Sequence, residues 1–257
     1  MSFKKLDKED FVVSSNTITS TVWSNNSPSL STFYTSSTQK NGSSGLYYLN
    51  VYQTPSSASS AEVQFSIVYG DSTGGGNLPF DNGVPGISPS TSIYGQYRTL
   101  VLEDENSQFE FGDFSGSYFY AISIERARYK EKLLPGSFNL TLSSSNAAAG
   151  TEVLKLTDNS NDVALPTYYG TQRAYQIVSG SDGSAYSGSG YTAESGSYGL
   201  FLPDISTIIL NGAALDDNTA LGGGINLGTS VSTASNGDNL TKLYDAINNA
   251  SGSLFQL

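Results

Sequence analysis

The stretch Val63-Gln64-Phe65-Ser66-Ile67-Val68-Tyr69 decides the fold, because its side chains alternate with a period of two. Successive side chains of a strand point to opposite faces. Val63, Phe65 and Ile67 are therefore expected on one face, and Gln64, Ser66 and Val68 on the other. One face against a core and one toward water is the pattern of an antiparallel sheet.

Upstream, Leu46-Tyr47-Tyr48-Leu49-Asn50-Val51-Tyr52 repeats the signal. Ser20-Thr21-Val22-Trp23-Ser24 and Thr32-Phe33-Tyr34-Thr35 read as strands on either side of the turn cluster Asn25-Asn26-Ser27-Pro28. Residues 1–13 are charged at first, and Asp7 is placed to cap a short turn before Phe11-Val12-Val13. Downstream, residues 70–92 hold Gly74-Gly75-Gly76, four Asn/Asp and three prolines, and read as a long irregular excursion. Strand character returns at Tyr97-Arg98-Thr99-Leu100-Val101-Leu102, Phe109-Glu110-Phe111, Tyr118-Phe119-Tyr120-Ala121-Ile122-Ser123-Ile124 and Phe138-Asn139-Leu140-Thr141-Leu142.

A Ser/Ala/Gly stretch at residues 143–150 reads as a linker. Beyond it, residues 151–157 and 173–178 read as strands of a smaller second sheet. Residues 179–197 are a low-complexity Ser/Gly/Tyr stretch, followed by strands at 199–202 and 207–210, the latter ending in an Asn211-Gly212 turn. The single convincing helix comes late. Leu240, Leu243, Tyr244 and Ile247 share one helical face, with Asp238 or Asn239 as cap. The expected fold is mainly β, with an antiparallel β-sandwich over residues 1–145 and a smaller β-rich domain with few short helices over residues 146–257.

Composition narrows the chemistry. The 257 residues include no His and no Cys, which removes Cys/His zinc sites, haem, iron–sulfur clusters, disulfides, Cys nucleophiles and Ser-His-Asp triads. Charged residues make up only 14%, but 17 Tyr and 12 Phe supply buried area that disordered chains lack. With 12 Lys+Arg against 23 Asp+Glu, the net charge of -11 argues against nucleic acid and against anionic membrane surfaces. No apolar run approaches the roughly twenty residues that span a bilayer. The first ten residues have no apolar segment behind their basic end, so no signal peptide is expected and the chain is placed in a cytoplasm at synthesis.

The acids Glu103, Asp104, Glu105, Glu110 and Asp113 would supply paired carboxylates for glycoside hydrolysis, but their position between strands fits a solvated turn better. Asp158-Asn159-Ser160-Asn161-Asp162 and Asp216-Asp217-Asn218 are oxygen-rich, yet they lack the spacing of known Ca²⁺ loops and read as Asx turns. Gly74-Gly75-Gly76 and Gly222-Gly223-Gly224 lack the Lys-Ser/Thr of a phosphate loop and read as turn tips or linkers. No catalytic residue, cofactor or metal site is assigned. Arg126, Arg128, Lys130 and Lys132, four of the chain's 12 basic residues, stand apart within one short segment. If the strand from Tyr118 continued, they would share one face. They read either as a charged edge that discourages strand pairing or as a contact for an acidic neighbour, another copy or another subunit.

Several stretches together carry a resemblance: Val22-Trp23-Ser24, Leu49-Asn50-Val51-Tyr52-Gln53-Thr54, Tyr94-Gly95-Gln96-Tyr97-Arg98-Thr99-Leu100-Val101-Leu102 and Phe111-Gly112-Asp113-Phe114. Arg126-Ala127-Arg128-Tyr129-Lys130-Glu131-Lys132-Leu133-Leu134-Pro135-Gly136-Ser137-Phe138-Asn139-Leu140-Thr141-Leu142, Lys155-Leu156-Thr157-Asp158-Asn159-Ser160, Tyr175-Gln176-Ile177-Val178-Ser179-Gly180 and Gly199-Leu200-Phe201-Leu202-Pro203-Asp204-Ile205 complete the set. The chain resembles, over essentially its whole length, a family of virion structural proteins from T-even-type, contractile-tailed phages of marine cyanobacteria. That resemblance implies a tail component, in a baseplate wedge, without enzymatic activity or cofactor. It implies other tail or baseplate proteins as partners and several copies in a symmetric assembly; the charge balance, separately, argues against nucleic acid or membrane as partner. Members of that family run on past the point equivalent to Leu257, so Leu254-Phe255-Gln256-Leu257 reads as an interrupted strand.

Two other readings compete. A receptor- or glycan-binding module of the tail would use tyrosines exposed at a loop end to stack on sugars. A glycan hydrolase would use acids such as Glu103 and Asp113 across a cleft.

Overall fold

The computed structural model describes residues 21–36, 48–76, 88–111, 116–143, 153–186, 197–217, 223–231, 239–250 and 254–257. The chain is mainly β, as its alternation predicts. The strands are β1 (Ser29–Leu30), β2 (Tyr48–Tyr52), β3 (Val63–Asp71), β4 (Tyr118–Ile124), β5 (Asn139–Ser143), β6 (Val153–Asp158), β7 (Thr167–Tyr169), β8 (Gln172–Ser181), β9 (Ser184–Ala185), β10 (Gly199–Leu202), β11 (Thr207–Asn211) and β12 (Phe255–Gln256). Helices are α1 (Pro89–Leu102), α2 (Gly212–Asp216) and α3 (Asn239–Asn248).

These strands form one curled antiparallel sheet, in the order β1-β12-β5-β6-β8-β10-β11-β4-β3-β2, with β7 and β9 paired on β8. Its two end strands meet. Tyr34, just past β1, and Tyr52 of β2 each donate a backbone N–H to the other's carbonyl at 2.8 Å. This bridge joins the two ends of the sheet at the seam.

Alternation sends side chains to two cores. On β4, Tyr120, Ile122 and Ile124 enter the inner cluster, while Phe119 and Ala121 enter the outer one. Ile208 and Leu210 of β11 and Phe201 of β10 point inward; Ile209, Leu200 and Leu202 point outward. The inner core is aromatic. Phe255 lies 5.1 Å from Trp23 and 5.0 Å from Phe65, and Phe138 stacks on Phe201 at 5.5 Å. Leu243, Tyr244 and Ile247 of α3 fill it from the predicted helical face. Outside, α1 covers β3 and β4 with Tyr94 and Val101, joined by Phe109 and Phe111.

Strands from both sides of residue 145 interleave in this sheet. β11 pairs with β4, and β12 lies between β1 and β5. The strands expected in a second, smaller sheet instead continue the first, and both halves fill one inner core. Apart from Ser143, the last residue of β5, the expected linker lies outside the described residues.

Five local expectations need correction. Tyr97–Leu102 is not a strand but the second half of α1, so the late helix is not the only long one. Ser88 Oγ accepts the Thr91 N–H, and Pro89 follows at a position where a missing N–H costs nothing. The excursion read over 70–92 thus ends in a helix cap; residues 77–87 lie outside the described set. Trp23 opens a turn rather than a strand, with Asn26 donating to its carbonyl at 3.0 Å. Phe109–Phe111 is irregular chain beneath α1. On β3 the register shifts so that Val51 faces Phe65 and Tyr52 faces Val63. Gln64 is the extra residue: it is buried, and its amide binds Ser24 and the Glu62 carbonyl. Phe65 and Ile67 share the inner face as expected, but Val63 lies beyond this bulge and outside the inner cluster.

Gly95 sits within α1, and a Cβ built there meets nothing within 4 Å. Gly95→Ala should therefore raise stability by about 0.5–1 kcal/mol, read from the urea midpoint. A lowered midpoint would count against the helix.

Candidate functional site

The basic segment does not continue β4. That strand stops at Ile124, and Arg126–Arg128 form a single 3₁₀ turn. Arg126 turns back on its own loop, donating to the carbonyls of Tyr129 at 2.7 Å and Lys130 at 2.9 Å, with its guanidinium 4.9 Å over the Tyr129 ring. Arg128 pairs with Glu62 at 2.8 Å. Lys130 and Lys132 remain exposed. The segment is then pinned at Leu133, which is buried in the inner core and donates its N–H to the Pro203 carbonyl at 3.0 Å. Two of the four cations hold the loop, and two face solvent.

Neighbouring loops extend this surface. Arg173 grips Asp204 through two bonds, at 2.9 and 2.5 Å. Arg173 first, and the charge of Lys132 to a lesser extent, hold the Asp204 carboxyl below the usual carboxylate range. Tyr168 stands opposite Arg173 across β7 and β8 and is 60% exposed. The preceding loop carries Leu165 at 80% exposure, and Leu134 of the basic loop is 49% exposed. The base of that loop is fixed: Asn161 donates its N–H to the Gly183 carbonyl and its amide to the Asp182 carbonyl, and Asp162 accepts the Ala185 N–H. The apolar tip was not read from sequence, although Val163-Ala164-Leu165-Pro166 after a polar turn was the available signal.

Two of the five candidate acids, Glu103 and Asp104, are engaged locally. Glu103 ends α1 with φ 54° and accepts the Thr171 N–H; Asp104 accepts from Asn106 N–H and Ser107 Oγ. Glu105 and Glu110 are exposed, and Asp113 lies outside the described residues. Asp158 accepts the N–H groups of Gly136 and Ser160, so its segment is the expected Asx turn. Asp216 accepts from Thr229 N and Oγ1, both at 2.8 Å, and from Tyr118 OH at 3.0 Å; Asn218 lies outside the described residues. Among the described residues, no group of three or more Asp or Glu is placed to hold a metal ion.

Sequence reading missed a buried polar chain. Tyr69 OH donates to Asp71, whose other oxygen accepts Thr73 N and Oγ1 at 2.7 Å. The Tyr69 ring lies 5.2 Å from that of Tyr120, whose hydroxyl is 2.9 Å from Thr229 Oγ1. Burial, reinforced by the carboxylates, pushes the Tyr69 and Tyr118 hydroxyls far above the usual phenol range; burial does the same for Tyr120. These phenols serve as hydrogen-bond donors. Gly74-Gly75-Gly76, read as a tip or linker, belongs to this packing: a Cβ at Gly75 would lie 2.2 Å from the Val231 carbonyl oxygen, and one at Gly76 2.2 Å from that of Ser230. Asn239 ties the segments together by donating to the carbonyls of Gly76 and Ser230.

No family model matches the chain, and neither does any curated protein or solved structure.

Asp158 generates a pH prediction. The residue is fully buried, and desolvation raises its pKa despite the hydrogen bonds that oppose it. A carboxyl raised in the folded state opposes folding where it is charged, so its cost fades as pH falls through the folded pKa and vanishes below the unfolded one. Asp158→Asn removes the titration. The stability of the variant relative to the parent should be greatest at neutral pH and should decline as pH falls into the carboxylate range. Thermal unfolding from pH 7 to pH 3 checks this, and a constant difference would refute it.

Proposed function

We propose that the chain is a non-catalytic structural subunit of a phage virion, in the baseplate of a contractile tail, where it acts through interfaces with neighbouring tail proteins. The family resemblance supports the tail and baseplate part of this reading. The observation that carries the mode of action is the anchored loop end where Lys130, Lys132, Leu134, Leu165 and Tyr168 face solvent.

Association costs conformational freedom, and loops already fixed by internal hydrogen bonds lose little more on docking. The exposed aromatic Tyr168 matches the enrichment of Tyr at interface centres, and the two lysines suit the polar rim around one. In a chain of net charge -11, exposed lysines select an acidic neighbour and orient it. The carboxylates Glu103, Asp104, Asp158 and Asp216 accept hydrogen bonds that shape turns, which fits a scaffold better than a hydrolase.

Replacing both exposed lysines, Lys130→Glu with Lys132→Glu, should reduce incorporation into particles while leaving circular dichroism and melting temperature unchanged. Unchanged particle yield would refute the contact. A particle reconstruction that places the chain in the capsid or neck would overturn the baseplate assignment.

A further inference from the structure

The seam that closes the sheet carries a second surface, distinct from the loop end. Leu49 and Val51 of β2 point into the inner core, so Tyr48, Asn50 and Tyr52 point outward by alternation. Tyr34 is paired with Tyr52 across the seam, and the preceding Phe33 is buried in the inner core, which puts Tyr34 on the same outer face. Tyr34 and Tyr48 are each 40% exposed, and Tyr52 is half-buried. Ser66 on the adjacent β3 strand faces Asn50 and donates its hydroxyl to the Asn50 amide oxygen at 2.7 Å, fixing that amide between the tyrosines. By the rise of a strand, Tyr48 and Tyr52 stand about 13 Å apart.

We propose that this strip, Tyr34, Tyr48, Asn50, Tyr52 and Ser66, binds a neutral oligosaccharide. Three phenol rings on one outer sheet face give apolar platforms for the C–H faces of successive sugar rings, with polar rims for their hydroxyls. The interleaved amide and hydroxyl make the strip a run of aromatic surfaces with a few placed polar groups, which suits a polyhydroxylated ring better than an aliphatic peptide. None of the five side chains is charged, and the net charge of -11 repels polyanionic glycans. The two backbone bonds that close the sheet hold the Tyr34–Tyr52 end of the platform, and the ladder with β3 holds Tyr48 and Asn50. The inference does not rest on the tail assignment, and each can fail without the other.

The test uses the full chain with neutral gluco-, manno- and galacto-hexasaccharides and, as a polyanion, heparin, read by saturation-transfer NMR and calorimetry. At least one neutral hexasaccharide should bind. Tyr34→Ala and Tyr48→Ala should each weaken it roughly three- to tenfold, and the double variant should abolish it. Tyr48→Phe should retain most of the affinity, and unchanged melting curves would show that the fold is intact. The proposal is overturned if no neutral hexasaccharide binds, if the folded double variant binds like the parent, or if heparin alone binds.

Discussion

Phe255 is the side chain on which the closure of the sheet depends. Its ring meets Trp23, Phe65 and Phe138 at 5.1, 5.0 and 6.2 Å, so one residue joins the first described turn, the second and third strands' hairpin and the middle of the sequence. Its strand, β12, is only two residues long, yet it separates β1 from β5 and supplies hydrogen bonds to both. So short a strand has little stability of its own, and it is held by the aromatic contacts behind it. With β12 in place, β1 can reach the seam with β2, and the inner core is enclosed.

Period-two alternation made the sheet legible, because β3, β4, β5 and β11 each bury one or both faces and their apolar residues recur at the right interval. It failed where two periods coincide. Tyr97, Thr99 and Val101 alternate as a strand would, but Ile93, Tyr94, Tyr97 and Val101 also fall on one helical face, and only the Ser88-Pro89 start separates the two readings. Pairing between distant strands was not legible either. Nothing in residues 207–211 announces that they lie beside 119–123, and a Ser/Ala/Gly stretch at 143–150 looks the same whether it separates two domains or comes between two neighbouring strands of one sheet.

For the surfaces, sequence located the cations but not their roles. Arg126 and Arg128 are spent on carbonyls and on Glu62, a division that follows from where β4 ends rather than from residue type. The glycine triplet at 74–76 shows the converse: the same composition that marks a loose connection also permits backbone to pack against backbone, and the deciding factor is what lies opposite. Among the described residues, several polar loops are structured by Asx turns and side chains bound to main chain.

The interleaved strand order also has a consequence in time. During synthesis, β1 and β2 emerge first, but the strand that joins β1 to β5, β12, leaves the ribosome more than 200 residues later. Early strands must wait, partly unpaired, for a late one. Contacts of such large sequence separation make folding slow and expose apolar strand edges meanwhile. Ring closure thus waits for β12, whatever the earlier strands have formed among themselves.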